Sequence, residues 1–289
     1  MIASLHPCIV KDINILCAGR SLTDSEKRRL KKSRAVIVPQ GIRPDVYREC
    51  RLLVPHVFPN YDLRFPLEGK VGDALLFAYF QVPHPKTLVF QNRLEFSALY
   101  PNPTLLLGVL GEFPWVLKGD RGGEGDFVYL IRSLEELEAK LVLLPAGFVL
   151  QEWIDHGGRD LRVVVLYDLF LAYWRVQPDP RIFWTNLSRG GTVDPDSDPH
   201  LKERGIEAVR DFCHRSGINL AGFDLLFDRR NPLGGPLFLE INYYFGRSGL
   251  GGSARFYELF EQAAERWLTA VLKGKKEGRP FHPPWFFPE

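Results

Sequence analysis

Residues 222–246, GFDLLFDRRNPLGGPLFLEINYYFG, decide the fold of this chain, because they form a β-hairpin pattern with an acid on each strand. Two apolar runs flank a turn rich in Asn, Pro and Gly, which is the usual punctuation of a hairpin. A turn centred near Pro232 places Asp224 opposite Glu240, and directly opposed residues have Cβ atoms about 4.5–5.5 Å apart. Two bare carboxylates at that separation repel each other, so the hairpin predicts a cation between them.

Glu240 and Asn242 belong to one face of their strand, because side chains alternate along a strand. With Asp224 they form a set of three oxygen-bearing side chains that contains no His or Cys. Such a set suits a hard cation, and Mg²⁺ beside phosphate oxygens is the usual case, with Mn²⁺ as the alternative ion. An amphipathic hairpin whose acids face water is the competing interpretation, and the hairpin alone leaves both open.

The composition is that of an ordinary globular protein, since 45% of the 289 residues are hydrophobic and 25% are charged. The net charge of +2 comes from scattered charges and predicts neither a nucleic-acid partner nor a membrane surface. The four cysteines show no metal-ligand or redox spacing, which predicts reduced thiols. Without a secretory leader pattern or a run of about 18 apolar residues, we expect a cytoplasmic protein.

The first 66 residues alternate short apolar strands with polar or helical pieces. Strands are predicted at residues 13–17, 35–38 and 52–58, and a helix near residues 23–32 behind the capping box Thr23-x-x-Glu26. This alternation indicates a small α/β domain with a partly parallel sheet. No glycine-rich phosphate fingerprint follows any of these strands, so a Rossmann dinucleotide site is not predicted.

Two lysines and a glycine-rich loop follow. Lys70 stands just before an apolar helical stretch, and Lys118 begins a loop that contains Gly122, Gly123 and Gly125. Glycines let the backbone approach phosphate oxygens closely and present N–H groups to them. Taken singly, the lysine also fits a surface position and the loop also fits a plain hairpin turn.

Residues 160–167 and 170–177 form a second predicted hairpin that turns at residues 168 and 169. That turn places Arg162 opposite Arg175, which is unfavourable unless the two guanidinium groups share an anion. The alternative is that the arginines pair separately with carboxylates such as Asp160 or Asp179. Both interpretations remain open from the sequence.

The rest of the chain adds donors and helices. Asn186 and Arg189, in a segment that ends in two glycines, offer donors suited to a phosphate or an oxyanion. Helices are predicted at residues 199–215, ending at Gly217, and at residues 254–272, where an apolar stripe indicates core. The tail, residues 274–289, is rich in Pro and aromatic residues and is expected to dock onto its own domain.

The order of these motifs resembles the ATP-grasp ligases, and within them the RimK-type glutamate ligases and the bacterial glutathione synthetases. The resemblance covers about residues 67–272 and implies an α+β fold in which two subdomains clasp ATP. It implies a small α/β domain at residues 1–66, an ATP-grasp domain at 67–273 with a lid subdomain at about 86–152, and the tail at 274–289. It also implies ATP and Mg²⁺ as cofactors.

The resemblance assigns roles residue by residue. The residues that it assigns to ATP are Lys70, Lys118, Gly122, Gly123, Gly125, Glu152, Trp153, Ile154, Asp160 and Arg175. The lysines match contacts to phosphates, the glycines match the lid loop, residues 152–154 match the adenine side and Asp160 lies near the ribose. Arg175, Asn186 and Arg189 match the catalytic contacts to phosphate. Asp224, Glu240 and Asn242 match the metal ligands.

The implied activity is an ATP-dependent carboxylate–amine ligase that forms an amide through an acylphosphate. Its substrates would be a small-molecule or peptide carboxylate and an amine. The resemblance also implies that the protein could be a homo-oligomer, as many members of the family are. The chain departs from the family pattern at Gly119, where proline is usual, at Gly123 and Phe127 in the loop, and at residues 243–245. These departures motivate the alternative of a non-catalytic ATP-binding regulator or scaffold.

Overall fold

The computed structural model describes residues 1–122 and 125–274. Gly123 of the predicted lid loop lies outside the described residues, and so does the predicted tail from residue 275 onwards. Within the described ranges, no helix is long and apolar enough to cross a membrane.

A sheet of four parallel strands opens the chain. Its strands are β1 (Ile2–Ser4), β2 (Ile13–Asn14), β3 (Ala35–Ile37) and β4 (His56–Phe58), in the order β2-β1-β3-β4. Helix α1 (Asp24–Leu30) begins at the predicted capping box, because the Thr23 side chain accepts the N–H of Glu26 and the Glu26 side chain accepts the N–H of Thr23. The prediction of parallel pairing in this region is confirmed.

One strand prediction in this region is partly wrong. Residues 52 and 53 end helix α2 (Pro44–Leu53), and only β4 remains of the strand predicted at residues 52–58. Pro44 stands in the first turn of α2, where its missing N–H costs nothing, and Val46, Tyr47 and Cys50 form a buried helical face. Leu53 continues this face and packs partly against the core, whereas Leu52 is exposed, so of the two misassigned leucines only Leu53 belongs to the buried side of the helix.

Two short helices connect this sheet to the rest of the molecule. They are α3 (Arg64–Leu67) and α4 (Lys70–Tyr79). A Cβ at Gly72 would lie 1.8 Å from the carbonyl oxygen of Leu67, so the close approach of α4 to α3 requires glycine at this position. The connection therefore fixes where Lys70, the first residue of α4, stands.

A second sheet forms a separate layer with its own core. Its antiparallel strands are β5 (Thr87–Phe90), β6 (Trp115–Gly119), β7 (Val128–Ile131) and β8 (Phe148–Glu152), in the order β5-β8-β6-β7. Helices α5 (Arg93–Leu99), α6 (Leu106–Leu110) and α7 (Leu134–Leu141) cover it. Phe90, Trp115 and Phe148 are buried in its core. We call this unit the lid sheet.

The third sheet is antiparallel and carries both predicted hairpins. Its strands are β9 (Arg159–Leu166), β10 (Leu169–Val176), β11 (Thr192–Asp194), β12 (Leu220–Leu226) and β13 (Leu237–Asn242), in the order β11-β10-β9-β12-β13. Helices α8 (Pro199–Ser216) and α9 (Gly252–Leu272) accompany it. Its apolar residues share one continuous core with the N-terminal sheet. We call this unit the central sheet.

The helix predictions in this part of the chain are confirmed. Gly217 ends α8 in the left-handed conformation with a φ of 76°, as expected for a C-terminal glycine. The predicted apolar stripe of α9 is buried. Its members are Phe256, Leu259, Phe260, Ala263, Trp267 and Val271.

The registers of the two hairpins differ in how well the sequence predicted them. Asp224 lies opposite Glu240 in the β12–β13 ladder, as predicted. Arg162 does not lie opposite Arg175, so that prediction is wrong: Arg175 pairs with Asp160, and Arg162 is opposite Asp224 in the β9–β12 ladder. The hairpin turns at residues 167 and 168, one position earlier than predicted, and this displaces the register by two residues.

Candidate active site

A cleft of about 380 Å³ lies between the lid sheet and the central sheet. It collects most of the predicted site residues from distant parts of the sequence. Those that line it are Lys70, Lys118, Gly122, Gly125, Glu152, Trp153, Ile154, Asp160, Arg175, Asn186, Asp224, Glu240 and Asn242. Of the predicted residues within the described ranges, Arg189 alone is not among those that line the cleft.

Two buried lysines meet in the cleft. Lys70, at the start of α4, is 3.7 Å from the Glu240 carboxylate and donates to the carbonyl oxygen of Gly122 at 3.0 Å. Lys118, on β6, donates to Oε1 of Gln151 at 2.8 Å. Burial lowers the pKa of Lys118 to about 8; the nearby Glu240 carboxylate opposes the shift and Lys70 adds to it. Two cations held in a partly desolvated cleft are well placed for phosphate oxygens.

The lid loop is docked onto the first turn of α4. The carbonyl oxygen of Asp120 accepts the N–H of Lys70, and its carboxylate accepts the N–H of Val71 at 2.9 Å. At the other end of the loop, a Cβ at Gly125 would lie 2.8 Å from Nε of Arg189. Gly125 also has a φ of +84°, so glycine is favoured at this position for both reasons.

Carboxylates and guanidinium groups alternate in the floor of the cleft. Asp224 accepts from Arg162, and its Oδ2 lies 2.9 Å from the Arg175 guanidinium. Arg175 also donates to Asp160 at 2.8 Å, and Asp160 accepts from Thr185 at 2.7 Å. A shared anion and separate carboxylate partners were both open from the sequence. The structure combines them, because the shared anion is Asp224 and Arg175 has Asp160 as a further partner.

The charges of this group are mutually dependent. Burial alone would raise the pKa of Asp224, but Arg162 and Arg175 outweigh it, so the pKa lies below its ordinary value. Burial likewise opposes the charge on Arg175, yet Asp160 and then Asp224 hold its pKa well above the ordinary value. Both groups are therefore ionised, and removing either one would leave a buried charge uncompensated.

The three predicted metal ligands lie together. Asp224 and Glu240 are cross-strand neighbours, and the side-chain amide of Asn242 is 3.1 Å from Oδ2 of Asp224. The chemistry of this donor set fits a hard cation, although Asp224 is also the shared acceptor of two arginines. Among the described residues, no group of three or more His, Cys, Asp or Glu side chains could hold a metal. A metal here would therefore depend on Asn242 and on ligand oxygens.

The end of the cleft next to residues 152–154 is shaped by the last residues of β8. Gln151, which orients Lys118, is held by Thr87, and the Glu152 carboxylate accepts the N–H of Lys86 at 2.8 Å. Trp153 and the buried Ile154 follow at the cleft wall. Trp153 and Ile154 give this wall apolar surface, which suits a flat ring more than a phosphate.

Asn186 and Arg189 belong to one turn, in which the N–H of Arg189 donates to the carbonyl oxygen of Asn186 at 3.0 Å, but their side chains lie in different places. Asn186 lines the cleft, whereas the Arg189 guanidinium lies over the Trp184 ring, 4.7 Å from its centroid, and 3.5 Å from the Asp126 carboxylate. Arg189 therefore contacts the residues that hold the lid loop. Its predicted catalytic role remains a prediction.

Sequence reasoning missed several cleft residues. Asp73, Asp120 and Gln151 line the cleft. Asp73 accepts the N–H of Ile241 in β13, Asp120 accepts the N–H groups at the start of α4, and Gln151 accepts from the Lys118 ammonium. Burial, and next the Glu240 carboxylate, raises the pKa of Asp73 well above its ordinary value. The sequence signal that could have identified Asp73 was its spacing from Lys70, because residues three apart lie on the same face of a helix.

The fold and the cleft define an ATP-grasp protein, in which a lid sheet closes over a second α+β unit. Comparison with known proteins supports this class. A profile described as the RimK-like ATP-grasp domain matches residues 75–253, and the chain belongs to this family. The recognition of an ATP-grasp protein from the sequence is thereby confirmed.

Among curated relatives, the "Probable alpha-L-glutamate ligase" of Vibrio cholerae serotype O1 is 33% identical over 150 residues, which are 50% of this chain and 47% of the relative. The "Probable alpha-L-glutamate ligase 2" of Shewanella sp. (strain W3-18-1) is 33% identical over 153 residues, 51% of this chain and 48% of the relative. The chain thus spans about half the length of these relatives.

Solved structures show the same fold at low identity. The D-alanine–D-alanine ligase of Bacillus anthracis has a TM-score of 0.58 and 17% identity, and the match covers 92% of this chain and 87% of that one. The carboxyaminoimidazole ribonucleotide synthase of Aspergillus clavatus, complexed with ATP, has a TM-score of 0.54 and 14% identity, with 80% and 59% coverage. The predicted α+β ATP-grasp fold is confirmed.

Proposed function

We propose that this chain is an ATP-dependent ligase that joins a carboxylate to an amine and releases ADP and phosphate. The observation that carries the proposal is the meeting of two buried lysines with Asp224, Glu240 and Asn242 in one cleft, opposite two buried arginines. Lys118 on the lid sheet and Lys70 on α4, together with the carboxylates of the central sheet, are the complement of a nucleotide with its divalent cation.

The nucleotide would lie along the cleft from residues 152–154 to Arg175. Lys70 and Lys118 bind phosphate oxygens, and the lid loop covers them with its backbone. Asp224, Glu240 and Asn242 would hold Mg²⁺, which supplies charge neutralisation at the phosphates when it is bound. Mn²⁺ has the same preference for oxygen ligands and is the alternative ion.

The chemistry requires positioning and electrostatics and no side-chain nucleophile. The substrate carboxylate attacks the terminal phosphorus of ATP, and ADP leaves, which gives an acylphosphate. The amine then attacks the carbonyl carbon, loses a proton, and phosphate leaves as the amide forms. Arg175, with donors from Asn186, stabilises the charge that develops on the transferred group and on the carbonyl oxygen.

The names of the curated relatives support a proposal for the substrate class. Because the curated relatives are named α-L-glutamate ligases, we propose an amino acid as one substrate, with L-glutamate tested first, and an amino acid, peptide or protein C-terminus as the other. The domain division remains part of the proposal: an N-terminal domain at residues 1–66 and an ATP-grasp domain at 67–273, with its lid at about 86–152.

The test is ADP release in the presence of MgATP and pairs of carboxylates and amines, with L-glutamate in the first panel. The proposal predicts ADP formation that requires both substrates and that the substitution Arg175→Met abolishes. Tight nucleotide binding without acceptor-dependent ADP formation across the panel would instead favour the non-catalytic ATP-binding alternative.

A further inference from the structure

β13 is an edge strand of the central sheet, and its outer side is buried rather than exposed to water. On that side the N–H of Ile241 donates to Oδ2 of Asp73 at 3.1 Å, and the N–H of Phe238 donates to the carbonyl oxygen of Pro83 at 2.8 Å. Buried N–H groups without partners are costly, so these contacts let α4 and its following loop cover the sheet edge. Asp73 supplies the one side-chain contact of the two.

Asp73 and Lys70 stand on the same face of α4, three residues apart, and both reach β13. Lys70 contacts the carboxylate of Glu240 at 3.7 Å, while Asp73 binds the backbone of Ile241. Ile241 lies between Glu240 and Asn242, two of the proposed metal ligands. One turn of α4 therefore contacts β13 at two consecutive residues: Lys70 contacts Glu240, and Asp73 contacts Ile241.

The same turn also receives the lid loop. Asp120 accepts from the N–H groups of Lys70 and Val71, so the first turn of α4 joins the lid to the metal-binding strand. A displacement of this turn against β13 would change the spacing between the Lys70 ammonium and the Glu240 carboxylate. The Asp73–Ile241 contact opposes that displacement.

Covering the edge of the central sheet does not by itself require a buried carboxyl group at position 73. Asp73 is only 3% exposed, and within the described part of the chain its Oδ1 has no hydrogen-bond partner. Burying a carboxyl group with one oxygen unpaired costs free energy that a backbone carbonyl, such as that of Pro83, would not. Asp73 also lines the cleft, beside Lys70, Glu240 and Asn242.

We propose that Asp73 is a positioning residue for the metal site: it fixes Glu240 and Asn242 relative to Lys70 by holding the N–H of the residue between them. This inference rests on the proposed function. It assigns no contact between Asp73 and the ion itself. Residues that orient metal ligands in this way commonly change metal affinity by about 10- to 100-fold when they are substituted.

The experiment measures the Mg²⁺ concentration that half-saturates binding of a non-hydrolysable ATP analogue, by calorimetric titration of the full chain. Asp73→Ala should raise this concentration about 10- to 100-fold. Asp73→Ser, whose hydroxyl is too short to reach Ile241, should do the same and provides a second variant should the first be poorly folded. Asp73→Asn keeps an oxygen for the N–H of Ile241 and should remain close to the unsubstituted protein.

Leu76→Ala is the matched control, because Leu76 is fully buried on the same helix and does not contact the backbone of β13 through a hydrogen bond. It should lower the unfolding temperature, because it leaves a cavity in the core, without changing the Mg²⁺ requirement. The inference is wrong if Asp73→Ala and Asp73→Ser keep the original Mg²⁺ requirement, or if Leu76→Ala raises it equally. If the unsubstituted protein binds no nucleotide at all, the proposed function fails, and this inference with it.

Discussion

The pKa of Lys118 makes nucleotide affinity depend on pH in a definite direction. Burial lowers that pKa from 10.5 to about 8 in the free protein. Phosphate oxygens favour the charged form, so bound nucleotide should return the pKa to about 10.4, close to its ordinary value. Binding above pH 8 must then take up a proton, and affinity must fall as the pH rises.

The size of the effect follows from the two pKa values. At pH 7.5 about three quarters of Lys118 is charged before binding, and at pH 9.5 only about 3% is charged, for a free pKa near 8. With a bound pKa near 10.4, the apparent dissociation constant of MgATP should rise about 20-fold between these pH values, which is about 1.8 kcal/mol. The proton uptake should approach one per nucleotide at the upper end.

Calorimetric titration with MgATP at five pH values between 7.5 and 9.5 measures both quantities, since buffers with different ionisation enthalpies report the proton uptake. Lys118→Met should bind more weakly at pH 7.5 and lose most of the pH dependence. Lys140→Met, which removes a lysine from α7 of the same lid unit, is the control and should behave as the unsubstituted protein does. An affinity that stays constant over this range, or a Lys118→Met variant with the full slope, would refute the reasoning.

Two further substitutions test the packing that supports the cleft. Asp224→Ala removes the carboxylate partner of the buried Arg162, while Arg175 keeps Asp160. The uncompensated Arg162 should lower the free energy of unfolding by about 3–5 kcal/mol, measured by urea denaturation; an effect below about 1 kcal/mol would contradict the charge assignment. Gly72→Ala places a methyl group 1.8 Å from the carbonyl oxygen of Leu67 and should cost about 1–3 kcal/mol or more, measured as a lower unfolding temperature. A Gly72→Ala variant as stable as the parent would show that α3 and α4 pack less closely than described.

The two hairpins illustrate what the sequence could predict. The turn between β12 and β13 is marked by Asn, Pro and Gly, so its centre and the pairing of Asp224 with Glu240 could be deduced. The turn between β9 and β10 consists of Tyr167 and Asp168, and Tyr167 adopts a φ of 59° without the help of glycine. Asp168 marks a turn, but no glycine or asparagine shows whether it is the first or the second residue of that turn, and the derived register was wrong for this reason.

The contacts across the cleft could be predicted only in part. The lysines, the acids and the arginines were identified as chemical types, but their partners depend on which strands become neighbours. Asp73 is separated from Ile241 by 168 positions, and nothing local in an apolar helix shows that a carboxylate will meet that N–H group. The residues that orient the predicted site were missed for this reason, although the residues they orient were found.

The proposed mechanism requires one ion to be held between the neighbouring strands β12 and β13. Anomalous X-ray diffraction from a crystal of the full chain with Mn²⁺ and a non-hydrolysable ATP analogue would locate it directly. We predict one peak bonded to side-chain oxygens of Asp224, Glu240 and Asn242 and to phosphate oxygens, at about 2.0–2.4 Å. A nucleotide bound in the cleft with the peak elsewhere, or with no peak at all, would contradict the central claim.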